Sequence, residues 1–422
     1  MKNLLKRSSA PESRSARQAV TLYGATLLGV LLGILSSVVN TRFLAPSEYG
    51  DVRYVQNFIT LIATFFFVGH FYAGSRLLAL AKDEAQARRL RGALVVVLLI
   101  ASLALMAATA LCGACHDRRS LILLFLISVP VCLQPLLYNY IYFVLPGDNQ
   151  IGRVSLSRIL PLLIYVPVAY LVYSRSGATA ERMMLLQWGI AVAMFIAIIA
   201  STRPRFGGSR PLFADLRRDN RDYGRQLYLG QLVAVATNYV AGVTLGLFNA
   251  DNATVGFYTL ALTVTFPLST LPAIVGTTYF KQFASQPRIP RKVLSVTFLA
   301  TAATCLAFVL LIKPLVVFLY TDQYRAVGVF AQWMSLSFCL HGLGDMFNRY
   351  LASHGQGRPV RNASLASGLV KLLGFMLLVW LWDTTGALIT LTLSEAVYFV
   401  MLWISYARYT KRPVTDESPA DQ

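Results

Sequence analysis

Runs of about twenty mostly apolar residues recur along the whole chain, and this recurrence limits the fold before any single residue is weighed. At about 1.5 Å per residue, a helix of that length crosses the ~30 Å hydrocarbon layer of a bilayer with its backbone amides satisfied internally. Twelve spans are expected, near 22–45, 52–76, 92–115, 120–145, 155–175, 182–202, 224–249, 255–280, 293–319, 326–350, 361–382 and 385–407. Only 14 % of the 422 residues are charged against 56 % apolar, too little polar surface for a water-soluble body of this length. The expected fold class is all-α: a polytopic membrane protein of twelve transmembrane helices.

The formal charge of +19 raises a nucleic-acid partner, so its placement matters. With the N-terminus placed in the cytoplasm, 29 of the 38 Lys and Arg fall in inside segments and 8 in outside loops. The one left over, Lys371, lies within a span. This is the positive-inside bias with both termini cytoplasmic, and it leaves nucleic acid nothing to explain. The basic start "MKNLLKRSSAPESRSARQ" precedes an apolar run with no A-x-A-like cleavage site, so a retained first helix is expected. Cys112 and Cys115 form a C-x-x-C near the outer end of the third span, without the second pair or His cluster that a metal site needs. No Walker-type Gly-rich loop is present, and neither a metal nor a cofactor is expected.

The most polar interior stretch, "RPRFGGSRPLFADLRRDNRDYGR", joins the sixth span to the seventh. The expected organisation is a basic tail (1–21), a first lobe (22–202), a cytoplasmic linker (203–222), a second lobe (223–409) and a second tail (410–422). The halves echo each other. "FLAPSEYG" at 43–50 corresponds to "FNADNATVG" at 248–256, Asp117 to Asp322, and Gly152-Arg153 to Gly357-Arg358, all offset by 205 to 206 residues. Six spans per half give parallel repeats, which place a transport site at the repeat interface near the midplane.

The stretch "NTRFLAPSEYGDVRYVQNFITLI" resembles the signature after the first helix of bacterial polysaccharide exporters. "YTDQYRAVGVFAQWMSLSF" and "ASHGQGRPVRNAS" are similar to the matching points of their second lobe. The family is the polysaccharide transporter, or Wzx-type O-antigen flippase, group of the multidrug/oligosaccharidyl-lipid/polysaccharide (MOP) flippase superfamily. The resemblance implies two six-helix lobes around a central cavity. It also implies transfer of undecaprenyl-diphosphate-linked oligosaccharide from the cytoplasmic to the periplasmic leaflet of the bacterial inner membrane. A polysaccharide polymerase and chain-length proteins are the partners this implies.

Such a cargo carries an anion, a bulky glycan and a long lipid, so its carrier needs interior cations and hydrogen-bonding groups. Arg suits phosphate because its planar fork stays charged when desolvated. Arg53, Asn57, Thr60 and Thr64 form one helical stripe on span two, with Gln56 beside it. Asn40 and Arg42 end span one, beneath a small-residue face at Gly29, Gly33 and Ser37. Asn238 in span seven lies above Gly242 and Gly246, and spans one, two, seven and eight are expected around the cavity. Arg76, at the cytoplasmic end of span two, would meet the diphosphate on entry.

Each of these residues has a plainer reading. Arg42 and Arg53 flank a loop with Glu48 and Asp51 and would pair there or snorkel to head groups. Arg76 would be a positive-inside anchor, and the span-two stripe would serve helix–helix hydrogen bonding. Lys371 and Glu395, at similar depth in spans eleven and twelve, read as a buried ion pair or as a cation or proton switch. His341 and Asp345, spaced i, i+4, would join that group, and His70 reads as a core histidine or a proton carrier.

Two rivals remain. A MATE-like cation-coupled drug antiporter shares the architecture but needs a membrane-embedded carboxylate, typically in the first lobe, where spans one to six carry none. A polymerase, ligase or glycosyltransferase needs large outer loops with paired carboxylates, and every outer loop here is about ten residues or shorter.

Overall fold

The computed structural model describes residues 11–66, 69–207, 210–249 and 251–411. The expected tails therefore lie partly outside the described residues, at 1–10 and 412–422. In chain order the helices are α1 (Pro11–Phe43), α2 (Pro46–Phe66), α3 (His70–Ala79), α4 (Glu84–Ala114), α5 (Arg119–Ser128), α6 (Gln134–Val144), α7 (Ile151–Ser176) and α8 (Ala180–Ser201). Then follow α9 (Arg210–Asp219), a π turn (Asn220–Gly224), α10 (Arg225–Phe248), α11 (Ala253–Thr265), α12 (Pro267–Thr278), α13 (Phe280–Ala284), α14 (Arg291–Tyr320), α15 (Arg325–Ser353) and α16 (Gly357–Lys411). No strand occurs among the described residues, and the chain is an all-helical membrane protein.

Helices occupy all twelve expected spans, but not as twelve uninterrupted rods. Eight are long and apolar enough to cross a membrane, or nine if the α2–α3 pair, bent by 61°, counts as one. The breaks have local causes. Gly69 before α3 sits at φ +77°, a conformation that favours glycine. Pro130 removes a backbone donor between α5 and α6, Pro135 stands in the first turn of α6, and Pro267 opens α12. Asp383 at φ +51° breaks α16, between the last two expected spans.

The helices gather into two compact units. The first comprises 1–257 with 319–323, the second 258–318 with 324–422. The compact boundary thus falls one span beyond the polar linker, and α10 belongs with the first unit. Small residues explain why: a Cβ on Gly242 would lie 2.1 Å from Asn57 Nδ2, and one on Gly246 2.1 Å from Tyr54 Cδ2. Without side chains at these points α10 lies directly against α2. Gly29 of α1 meets the backbone of α7 at the Arg158 carbonyl, and Ser37 shares a 2.9 Å hydrogen bond with the Tyr320 hydroxyl.

The two echoed motifs touch inside this first unit. A Cβ on Gly50 would lie 1.9 Å from the Asn252 carbonyl oxygen, and Gly256 packs on Tyr49 and Gly50. Asn252 donates through Nδ2 to Asp51 at 2.7 Å, and Asp51 also pairs with Arg118 at 3.2 Å. The repeated turn chemistry is therefore an internal contact.

In the second unit α15 is central, packed by α12 and α16 around Met346, Phe347, Tyr350, Tyr398 and Leu402. Helix α14 turns its apolar side chains outward: Leu299, Leu310 and Phe318 are 73, 68 and 74 % exposed. In water that stripe would be a large unprotected apolar patch; lipid is the solvent it suits.

Candidate functional site

The first unit holds an open cavity of about 500 Å³, lined by residues of α1, α2, α6, α7 and α8. Two arginines reach it, Arg53 from α2 and Arg158 from α7. Arg53 donates through Nε to the Tyr49 hydroxyl at 2.9 Å and through Nη1 to Gln56 Oε1 at 2.8 Å, with its guanidinium 4.8 Å from the Tyr49 ring centre. Gln56 passes the chain on, donating through Nε2 to Gln187 Oε1 of α8 at 3.0 Å. Arg158 donates through Nη1 to the Thr26 hydroxyl and lies 5.4 Å from the Tyr142 ring centre, while its buried Nε has no hydrogen-bond partner. Among the described residues neither guanidinium touches a carboxylate, and the cavity lining holds no Asp or Glu.

Two half-buried cations with only neutral partners make this an electropositive recess. Its walls are aromatic: Tyr138, Tyr142, Tyr165, Trp188 and Phe195. Behind them Tyr165 donates to Asn40 Oδ1 at 2.5 Å and contacts the Tyr173 hydroxyl at 3.1 Å. Asn40 is fully buried and does not line the cavity itself, but it is hydrogen-bonded to Tyr165, which does. A smaller recess of about 200 Å³ shares Tyr138 and Tyr142 and adds Thr64, Tyr72, Tyr228, Asn238 and Tyr239.

The expected span-two stripe divides by function. Arg53 lines the large cavity and Thr64 the smaller one, Gln56 is buried behind the large one between Arg53 and Gln187, and Asn57 is spent against Gly242 of α10. Thr60 returns its hydroxyl to the Gln56 carbonyl at 2.7 Å, a common use for a hydroxyl inside a helix. The expected pairing of Arg53 with Asp51 is absent, because Asp51 is engaged by Arg118 and Asn252.

Three candidates lie elsewhere. Arg42 is exposed, with Nε 3.4 Å from the Leu319 carbonyl. Arg76 forms a 2.6 Å ion pair with Asp219 and lies 5.2 Å from the Tyr223 ring centre, which ties α3 to the linker. His70 Nε2 lies 3.3 Å from Asn220 Nδ2 in the same region.

In the second unit four of the expected residues come together. Lys371 Nζ is 2.6 Å from Glu395 Oε1, and His341 Nδ1 is 2.7 Å from Glu395 Oε2. His341 Nε2 lies 3.9 Å from Asp345 Oδ2. The Tyr398 hydroxyl donates to Asp345 Oδ1 at 2.9 Å and receives a bond from Asn348 at 2.9 Å, while its ring stacks on His341 at 5.3 Å. One Lys, two carboxylates and one His sum to −1 with the imidazole neutral and to zero with it protonated.

Sequence reasoning counted Arg158 only among the inside positive charges. A sharper signal was available: Arg158, Pro161, Leu162 and Tyr165 recur at three- and four-residue spacing, one face of a helix, and all four line the cavity. Gln187 of α8 was also legible as a lone amide inside an apolar span, whereas Trp188 carries no signal that separates it from its apolar neighbours.

A family model described as "Polysaccharide biosynthesis protein" matches residues 15–284. No curated protein sequence matches the chain. Among solved structures, the lipid II flippase MurJ in an inward closed conformation is similar at a TM-score of 0.74 and 14 % identity, over 92 % of this chain and 87 % of that one. An inward-facing multidrug resistance MATE transporter of the MOP superfamily gives 0.64 and 14 %, over 93 % and 99 %. A MOP superfamily transporter from Pyrococcus furiosus, described by the reverse polarity of its binding pocket, gives 0.54 and 15 %, over 95 % and 97 %. At these identities the likeness is one of fold.

Proposed function

The chain belongs to the polysaccharide biosynthesis protein family, and from that premise we propose that it is a flippase for undecaprenyl-diphosphate-linked oligosaccharide. In this reading it carries an O-antigen or exopolysaccharide repeat unit from the cytoplasmic to the periplasmic leaflet of the bacterial inner membrane by alternating access. Both termini then face the cytoplasm, and a polysaccharide polymerase with its chain-length proteins takes up the product.

The observation that carries the reading is the pair Arg53 and Arg158, which line one cavity with only neutral partners. A charge within a bilayer costs about 2.5–3.5 kcal/mol on insertion scales, so two uncompensated cations there imply an anion that visits. A diphosphate can accept bonds from both guanidinium forks, and the Arg158 Nε is a buried donor with no hydrogen-bond partner among the described residues. The aromatic walls offer flat apolar faces to the C–H sides of sugar rings, as ligand pockets commonly do.

The test is complementation. In cells whose only copy is Arg53→Ala/Arg158→Ala, surface polysaccharide should fall below about a tenth of normal while membrane protein level holds. Undiminished polysaccharide at equal protein level would sink the diphosphate site. A cation-coupled antiporter is the second reading, favoured by the His341–Glu395–Lys371–Asp345 cluster. It predicts drug efflux that follows an imposed proton or sodium gradient and is indifferent to Arg158.

A further inference from the structure

A third cavity, of about 240 Å³, lies where the start of α4, the start of α7 and the end of α8 converge. Its lining is almost wholly polar and holds four arginines, Arg88, Arg91, Arg153 and Arg203, against one glutamate, Glu84. These segments fall in stretches that the charge bias places inside, remote in sequence from the Arg53 stripe, and the transport reading does not use them.

The four cations differ in how they are occupied. Arg91, with only 1 % of its side chain exposed, is consumed by structure: it pairs with Asp148 at 2.8 Å and Glu84 at 3.2 Å and donates to the Thr202 carbonyl at 2.5 Å. Arg88 pairs with Glu84 at 3.0 Å. Arg153 has only neutral partners, the Ser201 hydroxyl at 2.9 Å and the Ser201 carbonyl at 3.0 Å. Arg203 stands in the left-handed region at φ +53°, a strained setting for a residue with a side chain. That strain is held from both sides. The Arg203 N–H donates to the Ala200 carbonyl at 2.9 Å, and the Arg205 N–H to the Arg88 carbonyl at 2.9 Å. The Arg205 carbonyl also sits so close to Gly92 that a Cβ there would lie 2.0 Å from its oxygen.

A positive-inside anchor needs none of this, since a lone arginine reaches water or head groups by snorkelling. Here an open polar recess, a pinned backbone and two arginines without carboxylate partners among the described residues come together, with Arg203 exposed at the recess. We propose that the recess is a binding site for a phosphate-ester anion, held by Arg153 and Arg203 with Arg88 at its edge. Two sources share that chemistry: the headgroup of an anionic phospholipid, which basic pockets between transmembrane helices bind, and free phosphate.

The test uses the full chain in nanodiscs. Wild-type protein is compared with Arg153→Gln/Arg203→Asn, which removes both charges, keeps a residue tolerant of φ +53° and leaves Arg91 intact. Native mass spectrometry reads bound lipid, and thermal unfolding reads stabilisation in phosphatidylcholine discs, in discs containing phosphatidylglycerol, and in phosphatidylcholine discs with inorganic phosphate at matched ionic strength. The expected result is phosphatidylglycerol retained by the wild type and bound about tenfold more weakly by the variant, whose unfolding midpoint in phosphatidylcholine is unchanged. Stabilisation by inorganic phosphate to the same degree, lost in the variant, would assign the site to the soluble anion. Equal lipid retention by both proteins, or no response of the wild type to either anion, would overturn the proposal. A companion variant, Arg153→Lys/Arg203→Lys, keeps the charge and should recover most of the binding, whereas a merely structural defect would not be rescued.

Discussion

At the scale of the residue, Arg158 and Lys371 are both cations within apolar helices, yet their removal should have opposite consequences. Arg158 has one neutral hydroxyl as its hydrogen-bond partner and a buried Nε with none. An unpaired charge of this kind is retained at the expense of stability. Arg158→Leu should therefore unfold no lower in detergent than the wild type, while export falls by about tenfold or more. A drop of several degrees in the unfolding midpoint would mean that Arg158 is a structural group. Lys371 is the reverse case, with its ammonium 2.6 Å from Glu395. Lys371→Met leaves a buried carboxylate behind and should cost about 3–5 kcal/mol, most of it recovered in Lys371→Met/Glu395→Leu. A double variant no more stable than the single one would exclude direct pairing as the source of the loss. The Lys371–Glu395 pair was legible in the sequence because two isolated charges at matched depth on neighbouring spans have few alternatives. Arg158 was harder, because a basic residue near the inner end of a span satisfies the positive-inside rule whether or not it faces a cavity.

At the scale of the element, apolar run length reveals where helices lie and conceals how they are interrupted. The spans at 52–76, 120–145 and 255–280 are each divided, by Gly69, by the Pro130–Pro135 turn and by Pro267. A proline or glycine in an apolar run signals a possible break, but whether the break forms depends on what packs against it. The same holds for the glycines of the repeated motif. Their recurrence at corresponding positions was visible, and their mutual contact was not, because close approach is a property of pairs. Gly50→Ala tests that contact directly, since its Cβ would lie 1.9 Å from the Asn252 carbonyl oxygen, a backbone atom that cannot rotate away. The substitution should destabilise by about 1–3 kcal/mol or more, read as a lower unfolding midpoint and lower membrane abundance. Gly33→Ala on the small face of α1 is the control, because no atom lies within 4 Å of that Cβ. Equal effects from the two would mean that glycine's flexibility, and not its size, matters at Gly50.

At the scale of the whole molecule, the two units carry opposite electrostatic problems. The cavity of the first holds two cations, Arg53 and Arg158, with no carboxylate among its lining residues; the cluster in the second holds two carboxylates and one lysine, with His341 between the carboxylates. A diphosphate bearing two charges gains about 4.6 kcal/mol per 100 mV on moving outward across an inside-negative membrane, twice the value for one charge. Export should therefore be electrogenic, and the potential alone should bias distribution by roughly a thousandfold per 100 mV. A proton entering at His341, which faces Glu395, Asp345, Lys371 and the Tyr398 ring, would cancel the cluster's excess charge and couple a pH gradient to the same cycle. These contributions separate in proteoliposomes with a fluorescent lipid-linked diphosphate, a potassium diffusion potential and an independently imposed pH difference. The wild type should respond to both gradients, and His341→Gln should lose the response to pH while keeping the response to potential. A variant that still follows the pH gradient would remove His341 from coupling, and a wild type indifferent to potential would mean that the cargo crosses without net charge.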